Sequence, residues 1–429
     1  MARAGVRPTF PYPIIESRLE NGLAVVAIPL DTPGLLAHYV AVRTGSRNEI
    51  EPGLSGFAHF FEHMMFRGTP RFSPEKYNDV LKRLGADGNA FTTDDWTCYH
   101  VTAAADALET IMDLESDRFM HLAYGVEAFQ KEAGAVLGEY NKNYSIPFNA
   151  LFEKLQDTAY TTHTYKHTTM GFLRDIEAMP TQYEYSLRFF ERWYRPDNAV
   201  LVVAGDAAPE RVFELAKRYY GPWRPGVAAL TTPVEPPQDA ERTAHMPWAA
   251  PTLPLLAMAF HAPAFDPESI PVRALDVLAQ ACFAPTSPLH KELVLDRQWV
   301  DWLSAGAEDH RDPTLFLVLA RVKEARHLGD VRAAIERALD QAATNTLPAE
   351  RLTAVRSRMR YGFLSGLLTP DHVATTVCHY FQLTGGTQAI DRSFATLEAV
   401  GAQDLVGIAE RVFPPSNRTI VTLVHEAAS

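Results

Sequence analysis

Hydrophobic and polar positions along the chain repeat one pattern in its two halves. "LAHYVAVRTGSRNE" (residues 36–49) and "LPLLAMAFHAPAFD" (253–266) each alternate like a strand, then pass into a polar loop and a helix. Further on, "DIEAMPTQYEYSLRFFERWYRPDNAVLVVAGD" (175–206) predicts a helix, a Pro-Asp-Asn turn and a β-branched strand. "TLEAVGAQDLVGIAERVFPPSNRTIVTLV" (396–424) repeats that order, and both copies feed the strand from a Pro-x-Asn turn, Pro196–Asn198 and Pro415–Asn417. Helix-turn-strand units recur in any α/β chain, but here the order of the pairs is also preserved. Between the copies, "GPWRPGVAALTTPVEPPQDAER" (221–242) has the Pro-rich polar composition of a linker. The pattern therefore predicts an α+β protein of two similar domains, at 1–228 and 244–429, joined by a linker at 229–243.

One segment breaks the ordinary logic of burial. In "SGFAHFFEHMMFRGTP" (55–70), apolar residues cover the whole circumference of an expected helix at about 57–67, yet His59, Glu62 and His63 lie within it. Ser55 is positioned to cap its start, and Gly68 and Pro70 to stop it. At 100° per residue the two histidines lie about 40° apart, with Glu62 about 60° to the other side of His59. All three project from one face. Burying them unpaired costs several kcal/mol each, so either the helix faces solvent, which its apolar residues argue against, or something bound there satisfies all three. Imidazoles at i and i+4 chelate a borderline-soft divalent ion, zinc by default. Glu62 is then placed to take a proton from water beside the ion. In "FQKEAGAVLGEYNKNY" (129–144), Glu132 and Glu139 share a helix face seven residues apart, but on spacing alone they read as a solvated surface.

Composition narrows the partners. A chain of 429 residues with 47% hydrophobic and 21% charged residues is globular and long enough for two cores. No apolar run reaches the roughly 18 to 20 residues of a membrane span. A net charge of −12 disfavours nucleic acid. Cys98, Cys282 and Cys378 form neither a disulfide framework nor a metal knuckle. "MARAGVRPTFPYP" lacks an apolar signal core, so the expected compartment is the cytoplasm; a signal peptide already removed would make it the periplasm.

"HFFEH" is the reversed zincin motif H-x-x-E-H, and Glu139 follows His63 by 76 residues. With "LENGLAVVAIPL", "GSRNE", "GNAFTTDDWTCYH" and "YRPDNAVLVVAGD", the chain resembles the pitrilysin/insulinase metallopeptidase family, in the two-domain branch typified by mitochondrial processing peptidase subunits. The likeness spans nearly the whole chain, strongest in the first 220 residues and diffuse after about residue 250. It implies a pair of α/β sandwich domains, each a mostly antiparallel sheet covered by helices. It implies one zinc ion held by His59, His63 and Glu139, with Glu62 as catalytic base and Glu132 as a supporting carboxylate.

For the substrate, the resemblance implies an extended peptide that adds to an edge strand starting in "GADGNAFTTDDWTCYHVTA" (85–103), read as a Gly-rich turn and then a strand. Asn89, Ala90 and Phe91 would make that contact. Further along, Cys98 reads as a packing residue and His100 as a packed or surface histidine rather than a ligand. One part of the pattern is missing. Relatives that carry it have an arginine and, seven residues later, a tyrosine aimed at the substrate carbonyl; "SPLHKELVLDRQWVDWLSAG" (287–306) offers Val294 and Asp301 there, with Arg297 three residues out of register. Nor does the second half carry a metal motif, having "VRALDV" (272–277) at the corresponding helix. The expected function is a zinc endopeptidase subunit, completed by a homologous subunit with the Arg/Tyr pair or by a second copy. The competing expectation is a non-catalytic structural or binding subunit of the same fold, which needs no intact ligand set.

Overall fold

A computed structural model describes residues 8–226 and 231–426; the first seven residues and 229–230 of the expected linker lie outside it. Two mixed sheets organise the chain. The first contains β1 (Ile15–Arg18), β2 (Ala24–Pro29), β3 (Leu35–Val42), β4 (Asp87–Thr92), β5 (Thr97–Ala104) and β6 (Ala199–Gly205), in the order β1-β2-β6-β3-β5-β4. The second contains β7 (Arg242–Trp248), β8 (Leu255–Ala262), β9 (Val300–Ala307), β10 (Thr314–Val322) and β11 (Arg418–His425), in the order β7-β11-β8-β10-β9. Leaving β1 aside, the two orders are the same path. β2/β6 and β7/β11 are the parallel pairs; every other pairing is antiparallel.

The Pro-x-Asn turns do what the repeat predicts. Each forms a short 3-10 turn, Pro196–Asn198 or Pro415–Asn417, that delivers the chain to a central strand, β6 or β11. Asn198 Nδ2 donates to Trp193 O at 3.0 Å, and Asn417 Nδ2 donates to Val412 O at 2.8 Å, so each amide ties its turn to the end of the preceding helix. β6 is buried at all seven positions, which is why it reads as a continuous apolar run rather than an alternation.

Compactness does not follow the linear order. One unit gathers residues 1–140, 167–233 and 363–389, and the other 141–166, 234–362 and 390–429. A cut within 229–243 therefore differs from the compact division by two exchanged segments. In the first unit, the helix Pro370–Thr384 packs on β3 and β6, where Gln382 Nε2 donates to Ala41 O at 2.7 Å. In the second, the helix Pro147–Ala159 lays Leu151, Leu155 and Ala159 against Ala257, Leu315 and Val421. Each sheet would otherwise leave one apolar face uncovered, and burial repays roughly 25 cal/mol per Å² whichever half supplies the helix.

Candidate metal centre

The motif helix runs Phe57–Met64, shorter than the 57–67 expected. Beyond Met64 the bonds tighten to Phe66 N–H→His63 O and Arg67 N–H→Met64 O, a 3-10 ending that releases the chain before Gly68. Ser55 is not the cap either. Gly56 holds that place in the left-handed region (φ 90°), and a Cβ there would stand 2.7 Å from Met170 O. Ser55 Oγ instead donates to Asp175 Oδ2 at 2.6 Å and accepts the Phe172 N–H. Glu49 does the capping: its two oxygens accept the N–H groups of Gly56 (2.6 Å) and Ala58 (2.7 Å). Burial pushes the Glu49 carboxyl up to about 8, against the pull of those two bonds. "GSRNE" is thus part of the frame that fixes the motif helix.

Aromatic packing sets the helix's rotation. Phe61 stacks on Phe189 with centroids 5.3 Å apart, and Phe60 meets Phe129 edge-on at 5.0 Å. Phe129 lies on the helix Val126–Tyr144, so the contact that anchors Phe60 also brings that second helix to the histidines. From it, Glu139 Oε2 approaches His63 Nε2 at 3.3 Å and His59 Nε2 at 3.7 Å. His59, His63 and Glu139 each present one ligand atom, all within 4.8 Å of one another. The packing of the two helices thus brings the two histidines of the motif together with Glu139.

The electrostatics ask for a cation. Burial, helped by the neighbouring His63, pushes the His59 imidazole down to about 4, which keeps it neutral near pH 7. His63 Nδ1 donates to Glu132 Oε1 at 2.9 Å, which turns its other nitrogen toward Glu139. Glu132 is buried and its other oxygen takes an ion pair from Arg67. One ligand atom each from two imidazoles and a carboxylate thus face one another within 4.8 Å. A divalent ion accepting nitrogen and oxygen ligands fits that set, and zinc is the ordinary choice.

Glu62 leaves the same helix toward β4, where Thr92 Oγ1 donates to its Oε2 at 2.7 Å. Burial raises its pKa, and the Thr92 bond works in the opposite direction. Here the sequence reading needs correcting. Residues 85–103 are not one strand after a Gly-rich turn: Gly85 ends a helix, and β4 and β5 form a hairpin closed by Thr93 and Trp96. Thr93 Oγ1 caps that turn, accepting the Trp96 N–H, and so interrupts a run of β-formers.

Pairing sorts the hairpin's side chains by face. Ala90 opposes Tyr99 and Thr92 opposes Thr97, on the side where Tyr99 Oη donates to Phe61 O of the motif helix. Asn89 and Phe91 oppose His100 and Cys98, on the other side. There Cys98 is fully buried against Cys378, and His100 stacks on Tyr39 at 4.9 Å, both as packing residues. Of the three residues expected at the peptide, Ala90 alone points its side chain toward the motif helix. β4 is the outer strand of its sheet, pairing with β5 alone.

In the second unit, Val294 lies in a π-helical segment, Lys291–Asp296, and Asp301 is the second residue of β9. Asp301 is bound to Arg321 at 2.8 Å. Neither offers a hydrogen-bond donor. The helix after β8, Ile270–Phe283, carries Arg273 paired with Asp276 and Asp309, both at 3.0 Å. His59, His63 and Glu139 are the metal-competent cluster among the described residues, and no helix among them is long and apolar enough to cross a membrane.

Comparison with known proteins gives two consecutive family matches. Residues 35–172 match the model described as insulinase (peptidase family M16), and residues 182–359 match that described as the peptidase M16 inactive domain. The zinc protease PqqE of Helicobacter pylori is 28% identical over 413 residues, covering 94% of this chain and 91% of that protein. A probable mitochondrial-processing peptidase subunit beta of Schizosaccharomyces pombe is 28% identical over half of this chain (50%) and 46% of its own length. Among solved structures, a protease from Helicobacter pylori superposes with a TM-score of 0.89 at 26% identity, over 96% of this chain and all of that one (100%). The first half of the periplasmic protease PqqL from Escherichia coli gives 0.77 at 18% identity, over 97% of this chain and 94% of that one, a likeness of fold.

Proposed function

Since the chain belongs to the insulinase family of peptidases, M16, we propose that it is a zinc-dependent endopeptidase subunit that cleaves extended peptides. The observation that carries this reading is the convergence of His59, His63 and Glu139 beside a Glu62 carboxylate held on the same helix. His59, His63 and Glu139 would hold one zinc ion, and Glu132 would fix the orientation of His63. Zinc bound there supplies Lewis acidity to the scissile carbonyl and acidifies water. Glu62 takes the proton from the attacking water and returns it to the leaving amine. No covalent acyl-enzyme is needed, so the buried Cys98 has no part. The peptide adds to the open edge of β4 along Asn89, Ala90 and Phe91, by main-chain hydrogen bonds that favour unfolded segments over a fixed sequence.

The non-catalytic reading has Val294 and Asp301 on its side, but a structural subunit has no use for three converged ligand atoms. The purified protein should contain one zinc ion. Peptide cleavage, assayed alone and with any co-purifying homologous chain, should stop when a chelator strips the zinc and resume when it is returned. Cleavage indifferent to the chelator would sink the proposal.

Glu132 and Glu139 separate in a second measurement. Glu132→Gln keeps every ligand and weakens only the support of His63, so zinc affinity should fall about 10- to 100-fold. Glu139→Gln removes a charged ligand and should cost more. Competition titration against a chelator reads both; equal losses would mean that Glu139 is not the third ligand.

A further inference from the structure

We propose that Thr92 is a positioning residue for Glu62, holding the carboxylate of the general base from the strand to which the peptide adds. The inference rests on the endopeptidase reading for its function, though not for its geometry. Glu62 sits in the last turn of an eight-residue helix, and its side chain has three torsions. The bond from Thr92 Oγ1, at 2.7 Å, is the one hydrogen bond its carboxylate accepts among the described residues. Without it, no hydrogen bond among the described residues selects one rotamer.

Thr92 is well fixed to do this. It is the last paired residue of β4, opposite Thr97. Thr97 is fully buried and donates to Thr44 O at 2.9 Å, while its hydroxyl lies 3.4 Å from that of Thr92. The next residue, Thr93, closes the hairpin with Trp96 through backbone and side chain. A β-branched side chain at such a position has little χ1 freedom, so its hydroxyl is aimed by the strand itself.

The chemistry favours a donor here. One carboxylate oxygen is held by Thr92, and the other remains open to accept a proton from water. Ala90 lies two residues earlier on the same face of the same strand. A peptide paired along β4 and the base that serves its cleavage would then take their positions from one element, so the register of one fixes the reach of the other.

Thr92→Val keeps the shape and removes the donor; Thr92→Ser keeps the donor and removes the methyl. Both should bind zinc as the wild type does. The valine variant should lose roughly 10-fold or more in kcat, with KM within about twofold, as expected for loss of a hydrogen bond to a charged group. The serine variant should stay near the wild type. Crystal structures supply a readout independent of turnover: Glu62 in one position beside residue 92 in the wild type and the serine variant, and displaced in the valine variant. Unchanged kcat in the valine variant, an equal loss in the serine variant, or an unmoved carboxylate would each overturn the proposal. A wild type without peptidase activity, in which the carboxylate moves only in the valine variant, would overturn the endopeptidase reading and leave Thr92's role in holding Glu62 standing.

Discussion

Glu62→Gln is expected to bind zinc as the wild type does and to lose peptide hydrolysis by about 10²- to 10⁴-fold. The amide has the same shape and can still accept a hydrogen bond from Thr92 through its oxygen, so the helix and the ligand set should be undisturbed. What it lacks is basicity. Water attacking a peptide carbonyl must shed a proton as it bonds, and the leaving nitrogen must gain one. Glu62 is placed for both transfers, being neighbour in sequence to His63 and on the same helix face as His59. Zinc content by elemental analysis and cleavage of an extended peptide, measured on one preparation, check the claim together. A variant that holds zinc and cleaves at the wild-type rate would exclude Glu62 as the base. One that has lost its zinc would instead give Glu62 a structural part in the site.

The motif face was legible because its evidence is local. Three residues within five positions define their own geometry once the segment is a helix, and Phe57, Phe60 and Phe61 declare that helix buried. The repeat was legible for the same reason: each Pro-x-Asn turn is a short signal next to the strand it feeds. Glu132 and Glu139 were harder to read. Their spacing is that of any surface helix, and only the packing of Phe129 on Phe60 turns them toward the histidines.

The features missed act at a distance or depend on a single atom. Glu49 caps a helix that starts eight residues later, a role that local capping rules assign to Ser55. Thr92 is one hydroxyl in a run of β-formers, with nothing in its neighbours to distinguish it from Thr93. The exchanged helices at Pro147–Ala159 and Pro370–Thr384 have ordinary amphipathic sequences, and which sheet they cover is decided by tertiary contact alone. Asn89 and Phe91 show the remaining limit. A hairpin mistaken for a strand loses its facing, and with it the knowledge that Ala90 and Thr92 are the side chains turned toward the motif helix.

The isolated chain is expected to hydrolyse peptides poorly, and a homologous chain carrying the Arg/Tyr pair to raise the rate by about 10²- to 10³-fold. The warrant is what Val294 and Asp301 cannot do. As water adds to the carbonyl, negative charge develops on its oxygen, and removing a donor aimed at that charge typically costs a factor of that size. Valine has no donor. An ionised aspartate has only acceptors, and Asp301 is already committed to Arg321 at 2.8 Å. A partner with the same two-domain fold is the economical source of both groups, since an arginine and tyrosine at the corresponding positions would come from the same kind of π-turn and strand. Val294→Arg combined with Asp301→Tyr should recover part of the missing rate without the partner, while either change alone should recover less. Mixing the purified chain with candidate homologues, and with a second preparation of itself, reads the first claim; steady-state kinetics of the double variant read the second. A monomeric, partner-free protein that already turns over peptides at a typical enzymatic rate of about 10 per second would defeat the idea. In that event the oxyanion must find its donor elsewhere in this chain, and Val294 and Asp301 are simply not the positions that matter.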